Sequence, residues 1–253
     1  EVFREVRNNL TEDGTLWLNI GDSYYNYRPG KGQSYPKQSV SKTKQDLPDK
    51  CNKRGNKLEG LKEKDLIGIP WMLAFALRAD GWYLRQDIIW HKPNPMPESV
   101  RDRCTKSHEY LFLLSKNKRY YYDNEAIKEP AKDWGTRDRT NGKYHNEGTG
   151  LQPHSGLTKS YPTKNKRSVW SVTNKPYKGS HFAVFPPDLI KPCILAGSEK
   201  NDIILDPFMG SGTTAMVAKD LGRDYIGCEL HEEYGKLIQN RISDARGTLE
   251  HFI

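Results

Sequence analysis

The sequence predicts an α/β fold: a doubly wound, mainly parallel sheet with an antiparallel pair at one edge and long polar insertions. Three observations predict it. Residues 203–214 (Ile-Ile-Leu-Asp-Pro-Phe-Met-Gly-Ser-Gly-Thr-Thr) run from an apolar strand through a glycine turn into a helix. That is how an open α/β sheet makes a ligand site at the carboxyl end of a strand. Arg223 to Glu229 reads as a second strand, and Glu229 at its tip lies 23 residues after Asp206. Strand-like apolar runs alternate with helix-spaced segments along the chain, which implies parallel crossover connections.

Each element has a local reason. Val2, Phe3, Val6 and Leu10 fall on one helical face, and Asp13-Gly14 turns the chain. Thr15 to Ile20 is a buried strand, with Gly21 to Asn26 at its carboxyl end. Residues 28–64, rich in Gly, Pro, Ser, Lys and Asn, lack periodicity and read as a long loop. Helical spacing returns from Leu66 to Leu77 and stops at Asp80-Gly81. Trp82 to Trp90 and Tyr110 to Leu114 are β-rich. The proline-studded Lys92 to Lys106 between them cannot be a regular element, so the two strands form the antiparallel edge pair. Residues 129–180 are polar again, with a short strand at Ser168 to Val172. Pro187 to Ala196 is a helix. The strand ending at Asp206, a helix from Thr213 to Leu221 closed by Gly222, the Glu229 strand and a helix from His231 to Ile242 complete the chain.

The glycine turn excludes the common phosphate sites. No Gly-Lys-Ser/Thr follows it, so it is not a P-loop. Gly210-Ser211-Gly212 lacks a third glycine at the dinucleotide spacing, and Asp206 would repel a pyrophosphate. Asp206 suits a ligand with a cationic or hydroxyl-rich end and no phosphate, a description that S-adenosylmethionine meets. Glu229 lies where an acidic residue accepts hydrogen bonds from ribose hydroxyls; the other reading is a carboxylate capping the helix that follows.

Asp206-Pro207-Phe208-Met209-Gly210-Ser211-Gly212-Thr213-Thr214 resembles the cofactor motif of the amino-directed DNA methyltransferases of the β arrangement. Those enzymes methylate the exocyclic amine of cytosine or adenine. Asp87 to Glu98 and Ser107 to Lys116 are similar to the strands beyond the family's catalytic motif, and His181 to Ile190 to the segment that closes over the cofactor's methionine end. The resemblance runs through nearly the whole chain. It implies a Rossmann-like methyltransferase fold, S-adenosylmethionine as cofactor and double-stranded DNA as partner. By position, Asp206, Phe208, Gly210, Gly212 and Thr213 form the cofactor turn and Glu229 holds the ribose. His181, Ala183, Phe185 and Pro186 lie near the methionine end. Residues 1–128 and 181–253 become two parts of one catalytic domain, with 129–180 as the target-recognition insertion between them.

One departure stands out. The family's catalytic tetrapeptide, Ser/Asp/Asn-Pro-Pro-Tyr/Phe, is not in this sequence; Phe185-Pro186-Pro187-Asp188 has the wrong order. In the β arrangement the tetrapeptide lies upstream of the position matching Glu1, so the expectation is a fragment lacking its catalytic strand. In the family, that motif accepts the amine's hydrogen bonds and stacks on the base, and near-attack placement supplies the rate. The target base must be flipped out of the duplex. Asp22, Lys92 and Asn94 are candidates for the wall of the base pocket; the other reading of each is a simple turn. Likeness to relatives with a Ser-Pro-Pro-Tyr-Trp motif favours cytosine N4 slightly over adenine N6.

Charge is unevenly distributed. Residues 28–68 hold 11 Lys and Arg against 5 Asp and Glu, and residues 131–180 hold 10 against 3, in a chain of net charge +8. The rest is mildly acidic. A globular enzyme with nucleic-acid-facing loops has this layout, and so do loops that are merely solvated. Arg101, Arg103 and Lys106, with Arg137, Arg139, Lys164, Lys166 and Arg167 near Trp134, Tyr144 and Tyr161, are the candidate DNA contacts. The four cysteines form no Cys-x-x-Cys pair, so no metal site is expected and a reducing bacterial, archaeal or phage-host cytoplasm fits. No apolar run reaches the roughly 18 residues of a membrane span. A cognate restriction endonuclease and a homodimer are the further partners considered. Three other classes compete: a catalytically incomplete nucleic-acid-binding relative, a methyltransferase of another substrate, and an NAD-type oxidoreductase, which the incomplete glycine pattern disfavours.

Overall fold

Two cores lie on opposite faces of a four-stranded sheet. The computed structural model describes residues 1–26, 59–131, 162–174 and 185–232, with 234–235, 238–239 and 241–242 beyond them. Strands β1 (Thr15–Ile20), β2 (Tyr83–His91), β3 (His108–Ser115) and β6 (Val169–Ser171) take the order β1-β3-β2-β6. β3 runs antiparallel to both β1 and β2, from Thr15 opposite Ser115 to Ile20 opposite Tyr110, and with His91 opposite His108. β6 is parallel to β2. The antiparallel pair is therefore present but not at an edge, because β1 flanks β3 and the insertion's own strand flanks β2. A second pair, β7 (Ile203–Asp206) and β8 (Asp224–Gly227), is parallel. The short strands β4 (Glu129–Pro130) and β5 (Thr163–Lys164) pair antiparallel, joining the two described ends of the second insertion.

Alternation of side chains across β1 separates the cores. Leu16, Leu18 and Ile20 face Val6 of α1 (Val2–Asn9), Ala74 and Leu77 of α2 (Ile69–Ala79), and Trp82, Phe112 and Leu114. Trp17 faces the opposite way, toward Trp90, Leu111, Trp170 and, from α3 (Pro187–Gly197), Leu189 and Cys193. In β2 the register shifts between Leu84 and Gln86. One extra residue reverses the faces, so Leu84 joins the first core while Ile88 and Trp90 join the second. On α1, Val6 is buried and Phe3 and Leu10 pack beside it, but Val2 is 47% exposed, one position off the predicted face.

α2 begins three residues later than its apolar spacing suggests. Tyr24 bridges Leu66, and Ile67 donates its N–H to the Ser23 carbonyl, so residues 66–67 are extended. Asp22 then supplies the start: its Oδ1 accepts the N–H groups of Ser23, Gly68 and Ile69 at 2.9, 3.0 and 3.0 Å. A carboxylate on the first free N–H groups of a helix is a favourable cap. α3 packs on α4 (Thr213–Asp220) through Ile194, Val217 and Ala218, which carries the β7–β8 pair against the rest. Leu205 of β7 reaches the first core, although β7 and β1 do not pair among the described residues. The described residues from 232 to 242 are helical. Among the described residues no helix is long and apolar enough to cross a membrane.

Candidate cofactor turn and DNA-facing edge

The turn after β7 is held by its own acidic residues. Asp206 Oδ1 accepts the Phe208 N–H at 2.9 Å, and Oδ2 accepts the Thr214 hydroxyl at 2.5 Å. Gly210 and Gly212 have φ of 53° and 80°, a left-handed conformation that L-residues adopt at a cost. Glu229 reaches across from the end of β8: Oε2 accepts the Gly210 N–H at 2.8 Å and Oε1 the His231 N–H at 2.9 Å. Those bonds, the His231 one foremost, hold its carboxyl below the usual glutamate range against the opposing effect of burial. Glu229 thus caps the following segment, and it also touches the glycine turn. A carboxylate offers about four lone-pair sites; the N–H groups of His231, Gly210 and Leu230 bear on this one, which still leaves capacity for a ligand hydroxyl. Beside it, Phe208 is 64% exposed and Leu230 97% exposed. Phe208 also neighbours the Phe3 ring, 6.3 Å between centres; exposed apolar surface and a carboxylate with spare acceptor sites suit a ligand with an aromatic ring and a sugar, as S-adenosylmethionine has.

The candidates for the base pocket occupy the carboxyl end of the four-stranded sheet. Asp22 is engaged by three backbone donors, and its carbonyl accepts Lys106 Nζ at 3.2 Å. Lys92 lies 4.3 Å from the centre of the Trp90 ring and pairs with Glu109, whose other oxygen accepts Asn19 Nδ2 at 3.3 Å. Asn94 and Asn174 exchange two hydrogen bonds of 3.0 Å: Asn94 Nδ2 donates to the Asn174 carbonyl, and the Asn174 N–H donates to Asn94 Oδ1. Asn94 therefore ties the loop after β2 to the returning end of the second insertion.

The basic candidates divide. Arg101 is exposed. Arg103 is paired with Glu98 and stacked 3.8 Å from the Tyr24 ring centre. Lys164 lies in β5, while Lys166 and Arg167 converge on Glu129 at 3.6 and 3.1 Å. Phe185 packs in the second core and Pro186 is the residue before α3. Arg137, Arg139, His181 and Ala183 lie outside the described residues.

The family model for DNA methylases that act on N6 or N4 amines matches residues 1–240. The chain belongs to this family. It is an S-adenosylmethionine-dependent DNA methyltransferase. It is 49% identical over 247 residues to the type II methyltransferase M.SmaI of Serratia marcescens, covering 96% of this chain and 72% of that protein. It is 46% identical over 241 residues to M.XycI of Xanthomonas campestris pv. cyanopsidis, covering 95% and 69%. Its fold is similar to the PvuII cytosine-N4-specific DNA methyltransferase, with a TM-score of 0.59 at 17% identity over 96% of this chain and 72% of that one.

In this methyltransferase, amine chemistry needs no cysteine. The chain's one Pro-Cys step, Pro192-Cys193, lies inside α3, and burial pushes the Cys193 thiol up and away from the reactive thiolate. Several functional neighbours escape local sequence reasoning. Arg241 reaches back to the glycine turn, donating from Nη1 to the Ser211 carbonyl and hydroxyl at 3.2 and 2.8 Å and to the Thr213 hydroxyl at 2.9 Å. Asn19, Glu109 and Asn174 are equally silent. Only the exposed apolar residue directly after Glu229 carried a local signal.

Proposed function

We propose that this methyltransferase transfers a methyl group from S-adenosylmethionine to the exocyclic amine of a base flipped out of double-stranded DNA, cytosine N4 before adenine N6. The observation that carries the reading is the Glu229 carboxylate standing on the Gly210 N–H with acceptor capacity left over. Asp206, Gly210, Gly212 and Thr213 shape the turn, Glu229 receives the ribose, and Phe208 and Leu230 offer apolar surface to the adenine. When bound, the cofactor supplies an electrophilic methyl on its sulfonium. The chain's own contribution is binding, orientation and exclusion of water. The preference for cytosine rests on overall likeness to enzymes with a Ser-Pro-Pro-Tyr-Trp motif.

Residues 129–180 are our choice for target recognition. Arg101, Arg137 and Arg139 serve as phosphate contacts, each a cation whose contribution to binding falls with salt. Lys166 and Arg167 have the different task of fixing the insertion's base through Glu129. The setting is the cytoplasm of a bacterium, archaeon or phage host. A cognate endonuclease reading the same site is the expected partner, on the type II naming of the relatives. A homodimer is the remaining proposal, read by light scattering.

The test is incubation with methyl-labelled S-adenosylmethionine and mixed-sequence duplex DNA, then digestion to nucleosides. Label on N4-methylcytosine is expected. Label on N6-methyladenine overturns the choice of base, and no label with cofactor still bound overturns the claim that this chain methylates DNA.

A further inference from the structure

We infer that Arg241 is a positioning residue for the cofactor turn, holding it just beyond the point where Glu229 does. The inference rests on the reading of residues 206–214 as the cofactor site. The two left-handed glycines of the turn have no side chains of their own to fix its shape, so neighbouring groups contribute. Glu229 takes the N–H of Gly210. Arg241 takes the acceptors just beyond, through one terminal nitrogen shared among the Ser211 carbonyl, the Ser211 hydroxyl and the Thr213 hydroxyl. Ser211 and Thr213 are each 3% exposed, so water does not replace the guanidinium if it is withdrawn. Polar groups left buried without partners are costly.

The rest of that segment is seated to deliver the side chain. Ile242 is 6% exposed and clusters with Met209 of the turn and Ala215 of α4. Ile238 lies against Gly212, 2.9 Å from where a Cβ would sit. Apolar packing brings the helical residues up to the turn, and Arg241 adds directional bonds that fix how residues 211 and 213 are oriented. Glu229 and Arg241 both follow β8, so the chain beyond that strand holds the turn at two points. A bound ligand held by Glu229 would feel the loss of Arg241 without touching it.

The experiment compares Arg241→Met, Arg241→Lys and Glu229→Ala in the full-length protein. Cofactor affinity is measured by calorimetry with S-adenosylmethionine, DNA affinity by fluorescence anisotropy, and KM for cofactor against kcat on substrate DNA. Arg241→Met should weaken cofactor binding roughly tenfold to a hundredfold, the loss expected for charged-donor hydrogen bonds. DNA affinity and kcat at saturating cofactor should stay within about twofold of wild type. Arg241→Lys, whose ammonium carries three donors, should recover most of the affinity. Unchanged cofactor affinity in Arg241→Met beside a clear loss in Glu229→Ala overturns the role of Arg241 alone. Parallel loss of cofactor and DNA binding with a lowered melting temperature overturns it as well, because Arg241 would then hold the fold. No loss in either variant overturns the site reading beneath it.

Discussion

Replacing Gly212 with alanine tests how tightly the cofactor turn is built. Two costs add. At φ 80° an L-residue takes a left-handed conformation, worth roughly 1–2 kcal/mol. The new methyl would also lie 2.9, 3.1 and 3.2 Å from Cγ1, Cγ2 and Cβ of Ile238. The Cβ cannot swing away, so the backbone must shift, an overpacking cost of about 1–3 kcal/mol. The sum is roughly 2–5 kcal/mol. Gly222 supplies the control: φ is 73°, and nothing lies within 4 Å of an added Cβ. Gly222→Ala should therefore cost only the backbone term, roughly 1–2 kcal/mol. Urea unfolding of both variants measures the difference directly, and calorimetry with S-adenosylmethionine reports the site. Gly212→Ala should bind cofactor roughly tenfold or more weakly, while Gly222→Ala should bind it normally. Equal destabilisation by the two would refute the crowding argument, and normal cofactor binding by Gly212→Ala would refute the assignment of the turn.

Three further outcomes follow from the same contacts. Lys92→Met leaves the Glu109 carboxylate, whose side chain is 25% exposed, without its cation; a loss of about 1–3 kcal/mol is expected in thermal unfolding, and Glu109→Gln in the same chain should restore part of it. Arg137→Ala with Arg139→Ala should weaken duplex binding and flatten its salt dependence while calorimetry shows unchanged cofactor affinity; an equal fall in both would remove these residues from the DNA surface. The Glu229 carboxyl is held below its ordinary value by the His231 and Gly210 N–H groups. A depressed carboxylate stabilises the fold fully above the unfolded pKa, ~4.3, and loses that stabilisation as pH falls through the lowered folded value. Urea midpoints between pH 6 and 3 should drop less steeply in Glu229→Gln than in the wild type, and identical profiles would count against those bonds.

Much of the frame was legible in the sequence because its causes are local. Asp13-Gly14 and Asp80-Gly81 break the chain, an apolar run marks Thr15–Ile20, β-rich composition marks the strands around residues 83–91 and 108–115, and the Asp206–Thr214 string announces a strand, a turn and a helix. The spacing to Glu229 placed an acidic group at the tip of the neighbouring strand, where β8 ends. Asp22 shows the limit. Beside Gly21 it reads as a turn-former or pocket residue, yet it caps a helix that starts 47 positions later. Lys166 and Arg167 look like free charge until Glu129, 38 positions before Arg167, is brought beneath them. Arg241 gave no sign of the turn it holds, 30 positions away at Ser211. Propensity and periodicity act over a few residues, and they fixed the elements. The strand order β1-β3-β2-β6 and the partners of Asp22, Glu129, Asn94 and Arg241 come from groups far apart in the chain. Only tertiary packing brings those groups to the roughly 3 Å at which a hydrogen bond forms.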